Sequence, residues 1–196
     1  MKACLVVCAI VGAAASALSG CASGSVINTD DAAPPPAVST TAPPPVFGTA
    51  HLVNAADYAL DVDGRKGYYF STPSGRWRCA ILPRDRAGCQ QADGTSAIGV
   101  TGAPTEVPDP AGETGQTATP NALVLDQDTD AHFAALAERD FTQSEAVVLP
   151  FGSVLAVAGF RCNVQEQSGV SCVRELTGRG FTFSAEGYTL HYTDVP

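Results

Sequence analysis

Seven cysteines and three histidines hold most of the reactive chemistry in this chain of 196 residues. Cys4 and Cys8 sit in an apolar run near the start. Cys21 follows Leu18-Ser19-Gly20, and Cys79, Cys89, Cys162 and Cys172 form two pairs, each with nine residues between its members. A thiol preceded by small residues in an extended peptide is open to attack and modification. Paired thiols at wide, equal spacing suit disulfides better than a zinc site, which favours close C-x-x-C pairs. His51, His132 and His191 are scattered, and none stands in metal-ligand spacing with another. Each reads as a surface or strand residue.

Alternate acids at Asp126, Asp128 and Asp130 resemble the start of a calcium loop. The sixth loop position is Ala131 where glycine is needed, and the twelfth is Ala137 where a bidentate glutamate is needed. Asp61-x-Asp63-Gly64 fails in the same way. The chain has no G-x-S-x-G elbow, no H-E-x-x-H, no C-x-x-C, no P-loop and no G-x-G-x-x-G opening a helix. Lys66 is the only lysine beyond Lys2, which excludes a Ser-x-x-Lys nucleophile. The sequence therefore nominates no catalytic residue, no metal ligand and no cofactor. Phe181, Phe183, Tyr188 and Tyr192 could line a pocket for an apolar ligand, although aromatics at alternate strand positions are more often core.

The start of the chain explains Cys21. Met1-Lys2 is a minimal positive start, and residues 3–18 form an apolar run of signal-peptide length, short of the ~20 residues that span a bilayer. Leu18-Ser19-Gly20-Cys21 resembles the bacterial lipobox, in which a signal peptidase cuts before a cysteine whose thiol carries a diacylglycerol. The resemblance implies a leader at residues 1–20, lipidation of Cys21, and a protein held at the extracytoplasmic face of the cell membrane. Two or three acyl chains anchor firmly, since each buried methylene contributes about 0.8 kcal/mol.

Residues 21–47 then read as the lipidated cysteine and a linker. Pro34-Pro35-Pro36 and Pro43-Pro44-Pro45 alternate with Ala, Val, Ser and Thr, a composition that favours extended polyproline segments over a core. About 25 residues at ~3.1 Å each would lift a domain by up to some 80 Å. Loss of the leader removes Lys2 and leaves 10 basic against 20 acidic side chains, a formal charge of −10. Such a surface repels nucleic acid and anionic headgroups, so no nucleic-acid partner is expected.

Residues 48–196 carry the pattern of a folded domain. Phe160, Cys162 and Val164 alternate with polar residues; Val170 and Cys172 continue that face beyond a Ser-Gly turn. Folding this stretch as a hairpin sets Cys162 opposite Cys172. Trp77, Cys79 and Ile81 with a turn at Pro83-Arg84-Asp85 set Cys79 opposite Cys89. Directly opposed strand residues lie near disulfide distance, so pairing within each hairpin is expected, with pairing between hairpins left open. Trp77-Arg78-Cys79 and Phe160-Arg161-Cys162 share an aromatic-Arg-Cys pattern that suggests two hairpins of one duplicated unit. Further strands are expected at Tyr68–Thr72, Ala97–Thr101, Ala122–Leu125, Ala146–Leu149 and Val154–Phe160. A last hairpin turns at residues 184–187, and residues 102–120 form a long loop. One helix is expected, capped by Thr129 or Asp130, with Phe133, Leu136 and Ala137 on one face. The sum is a mainly β domain: a small antiparallel barrel or sandwich with one short helix and two disulfides.

Tyr69-Phe70-Ser71-Thr72-Pro73-Ser74-Gly75 with Cys79, then Gly159-Phe160-Arg161-Cys162, Val170-Ser171-Cys172 and Thr177-Gly178-Arg179-Gly180-Phe181 are similar to a four-cysteine domain of unknown function. That domain is found in actinobacterial, especially mycobacterial, lipoproteins. The resemblance spans residues 68–192. It implies envelope placement and disulfides, and brings no activity, substrate or catalytic residue. The resulting expectation is a lipid-anchored, non-enzymatic module that binds an envelope protein or wall component. The alternatives are a carrier for a hydrophobic ligand and a hydrolase assembled from scattered residues.

Overall fold

A computed structural model describes residues 46–196; the leader, the Leu18–Cys21 motif and nearly all of the linker lie outside the described residues. Asn54 caps a single 3-10 turn, Ala55–Tyr58, by accepting from the Ala56 amide at 3.1 Å. Strands follow at β1 (Ala59–Val62), β2 (Arg65–Ser71), β3 (Trp77–Leu82), β4 (Arg86–Gln91), β5 (Val107–Pro108) and β6 (Thr117–Ala118). Then come β7 (Ala122–Asp126), β8 (His132–Ala134), β9 (Val147–Val148) and β10 (Ser153–Val157). The chain ends with β11 (Phe160–Gln165), β12 (Gly169–Arg174), β13 (Gly180–Ser184) and β14 (Gly187–Thr189).

Among the described residues these strands form two main sheets and a small hairpin. The first sheet runs β1-β2-β3-β4-β7-β8, with β9 alongside β2; the second runs β10-β11-β12-β13-β14; β5 and β6 pair with each other. Neither sheet closes on itself, so the domain is a sandwich and not a barrel. The sheets face each other because each has one apolar face to remove from water. Phe70, Cys79, Cys89 and Leu123 sit in register across the first sheet, and Leu155, Cys162, Cys172 and Phe181 do so across the second. All eight are fully buried in one shared core.

Both disulfides form within their hairpins. Cys79–Cys89 has its Cα atoms 4.0 Å apart and Cys162–Cys172 4.1 Å, as directly opposed residues of adjacent strands allow. Val164 lies opposite Val170, as the alternation requires.

The two halves match beyond their cysteines. Each places a six-residue strand beginning aromatic-Arg-Cys between its neighbours, and each donates a short lead-in segment to the other sheet. Val147 and Val148 run parallel to Phe70 and Ser71 of the first sheet, while Leu52 bridges in parallel to Val154 of the second. The Val53 amide donates to Val154 O at 2.9 Å, and the Val154 amide to His51 O at 2.8 Å. This reciprocal exchange covers one edge of each sheet, which protects the backbone groups there.

Five local expectations need correction. The helix assigned from Thr129 to Ala137 does not form: His132–Ala134 is strand β8, paired antiparallel to Val124–Ala122. An isolated helix of that length is marginal, and the open edge of β7 offers a ladder instead. Ala97–Thr101 is not a strand. The expected strand Ala146–Leu149 shortens to Val147–Val148, which are 47% and 48% exposed because β9 is an edge strand of two residues. The expected loop 102–120 contains the β5–β6 hairpin. The expected strand Val154–Phe160 is split by a turn at Ala158-Gly159, so that Phe160 opens β11.

Candidate functional site

The β2–β3 turn is built by its sequence. Pro73 presets the first corner, Gly75 takes φ +69°, and its amide donates to Thr72 O at 2.9 Å. The buried Thr72 hydroxyl accepts from the Trp77 amide at 3.3 Å. Trp77 is thereby fixed at the sandwich end, its indole N–H donating to Ile98 O at 2.9 Å. The Arg76 guanidinium lies 4.8 Å from the centre of the Trp77 ring and donates to Gly99 O at 2.8 Å. Gly99 has φ +69°, and a Cβ there would fall 2.5 Å from Arg76 Nη2, so glycine is what lets the two meet.

Three turns from both sheets converge around this feature: Thr72–Arg76, Gln165–Gly169 and Ser184–Glu186. With Phe151 they enclose an open cleft of about 290 Å³. Its walls are apolar at Trp77, Val164, Val170 and Phe151, the last 46% exposed. Its rim carries Ser74, Arg76, Glu166, Gln167 and Glu186, all exposed.

A larger cleft of about 700 Å³ lies by the β5–β6 hairpin, lined by Asp109, Pro110, Asn121, Leu136, Glu138 and Asp140 among others. Its floor is structural. Asn121 Nδ2 donates to Gly94 O at 2.7 Å and Leu136 O at 2.9 Å, and its Oδ1 accepts from the Leu136 amide at 2.8 Å. Gln90, fully buried, donates to Gly94 O at 2.9 Å and Ala137 O at 3.0 Å and accepts from the Phe141 amide at 3.2 Å. Two side-chain amides thus take the place of a backbone ladder for residues 136–141. Gln90 and Asn121 carry no signal in the sequence, since isolated amides usually sit in solvent.

The calcium-like acids part company. Asp126 faces Arg86 at 3.5 Å and His132 Nε2 at 3.7 Å, Asp128 faces Arg174 at 3.6 Å, and Asp130 faces Arg179 at 3.2 Å. Each carboxylate has its own cation, and no group of three metal-ligating side chains comes together among the described residues. Asp130 and His191 line a third cleft of about 300 Å³. Arg179 takes the carboxylate there, and the neighbouring Thr177 hydroxyl accepts from the Arg179 amide at 3.3 Å. No hydroxyl, imidazole and carboxylate are joined by hydrogen bonds at that place. His51 is exposed.

The aromatic set also divides. Phe181 and Phe183 are core, Tyr188 meets Phe133 edge-on at 4.8 Å, and Tyr192 meets Phe47 edge-on at 5.8 Å. These rings fill and seal the sandwich instead of lining one pocket. The Tyr192 hydroxyl donates to Asp194 at 3.0 Å and accepts from Asn163 at 2.9 Å. Burial, chiefly, holds its pKa above the usual phenol value.

No protein-family model, curated protein or solved structure matches the chain.

Proposed function

We propose that this is a lipid-anchored protein of the bacterial cell envelope, held through Cys21, whose sandwich is a non-enzymatic binding module. The carrying observation is the order of parts along the chain: a charged start, a short apolar run, Leu18-Ser19-Gly20-Cys21, a proline-rich stretch, and a domain with four cysteines in two disulfides. Disulfides persist outside the reducing cytosol, which agrees with export. Loops from both sheets meet at one end of a cross-linked frame, the common arrangement for recognition. The likeness to the four-cysteine domain of actinobacterial lipoproteins points the same way. A hydrophobic-ligand carrier is less well supported, because the aromatic side chains it would use fill the core or lie at its margins.

The test is metabolic labelling with palmitate of the full-length chain in a bacterium that lipidates exported proteins, followed by mass spectrometry of the mature N-terminus. Label on Cys21, absent from Cys21→Ser, is the expected result. A mature chain that begins elsewhere, or carries no fatty acid, overturns the anchor. Crosslinking in intact envelopes tests the binding role; a defined envelope component captured by the folded domain is expected.

A further inference from the structure

The two ends of the sandwich are finished differently. At one end the β12–β13 turn of the second sheet is tied to the β7–β8 turn of the first. Arg174 meets Asp128 at 3.6 Å, Arg179 meets Asp130 at 3.2 Å, and Arg179 Nη1 also donates to Asp128 O at 2.6 Å. At the other end, where the 290 Å³ cleft opens, no ion pair joins the sheets among the described residues. Glu166 and Glu186 stand exposed on two turns of the second sheet that line the cleft, and no ion pair includes either among the described residues. Arg76, the one cation of that rim, is already engaged by Gly99 O and the Trp77 ring.

The same cleft carries apolar surface that the fold leaves open. Phe151 is 46% exposed beside buried Trp77, Val164 and Val170. An apolar wall beneath two unpaired carboxylates is complementary to a ligand that is apolar at one point and positive at the next. The acid excess of the whole chain, 20 Asp and Glu against 11 Lys and Arg, would steer such a ligand inward. The volume holds one or two side chains and not a folded partner.

We propose that this cleft binds a cationic, apolar peptide segment: an aromatic or aliphatic side chain sits against Phe151 and Trp77, and a neighbouring lysine or arginine meets Glu166 and Glu186. The proposal rests on the binding-module reading and names the class of its partner.

Trp77 is the only tryptophan of the chain, so its fluorescence reports the cleft directly. Full-length protein in non-ionic detergent would be titrated with acetyl-Phe-Lys-Leu-amide. The same peptide with its lysine acetylated, and an N-acetylglucosamine oligomer, serve as competing probes. Saturable change with the lysine peptide is expected, weakened about tenfold by lysine acetylation, by Glu166→Gln with Glu186→Gln, and by Phe151→Ser. All three substituted positions are exposed, and an unchanged thermal melt would show that the fold is retained. Equal binding of the acetylated peptide, unchanged affinity in the double glutamine variant, or no saturable response to the lysine peptide would overturn the proposal. A response to the glycan alone would also overturn it, yet would leave the binding-module reading standing; the anchor is tested separately by labelling.

Discussion

Trp77 of the first sheet meets Phe183 of the second edge-on, with ring centres 5.0 Å apart. The contact joins the two sheets directly beneath the cleft, and it explains why a residue at the end of a turn is only 6% exposed. An edge-to-face pair of this kind adds about 0.5–1.5 kcal/mol beyond its buried area. The indole also satisfies Ile98 O, a residue of the long connection between β4 and β7. One side chain therefore holds both sheets and that connection.

Trp77→Phe keeps much of the ring contact and strips Ile98 O of its donor. It should destabilise the domain by about 1–3 kcal/mol. Trp77→Ala should cost about 3–5 kcal/mol, because it also leaves a cavity between the sheets. Urea midpoints of the two variants, read by far-UV circular dichroism, decide the order.

Each hairpin disulfide should be recovered as its own linked peptide without reduction. Trypsin cuts between Cys79 and Cys89 at Arg84 or Arg86. The Cys162–Cys172 loop contains only Glu166 as a charged cleavage point and needs a glutamate-specific protease. Any Cys79–Cys162 or Cys79–Cys172 peptide would contradict the register. Replacing Cys162 and Cys172 together by alanine should cost about 3 kcal/mol on the chain-entropy model.

Asn121→Ala should strand Leu136 O and the Leu136 amide at once and leave Gly94 O with Gln90 as its remaining side-chain donor. About 2–4 kcal/mol of stability should go with them. Gln90→Leu should act on the neighbouring carbonyls and the Phe141 amide in the same way. Because both amides hold one segment, the double variant should lose less than the sum of the singles. Hydrogen exchange of the Leu136 and Phe141 amides measures the loosening locally.

Alkali should weaken the domain, in part through Tyr192. The folded pKa of Tyr192 is raised, with burial as the main cause, so its neutral form is the one the fold favours. That contribution is complete below the unfolded phenol value of about 10 and is lost as pH rises towards the folded value. Tyr192→Phe should reduce the alkaline slope, leaving the share of Tyr58 and Tyr69, whose pKa values burial also raises, while losing the bonds to Asn163 and Asp194. Urea midpoints of both proteins between neutral and strongly alkaline pH would reveal the difference.

The hairpins and their cross-links could be read from the chain because they are local. Alternation places Cys162 with Val164 on one face, a short turn returns the chain, and opposition of the cysteines follows from geometry within a dozen residues. Pro73 and Gly75 likewise marked their turn through backbone restrictions of their own. The segment from Thr129 to Ala137 carried an acceptable helical pattern, and its outcome depended on partners distant in sequence. The free edge of β7 claimed His132–Ala134, and the amides of Asn121 and Gln90 claimed Leu136 and Ala137. The exchange of lead-in segments, the scattering of the three aspartates onto separate arginines, and the cleft around Phe151 are of the same kind. Each depends on which sheet edge or turn comes to lie opposite, and that is settled by burying two apolar faces together, a global condition that no local window of residues contains.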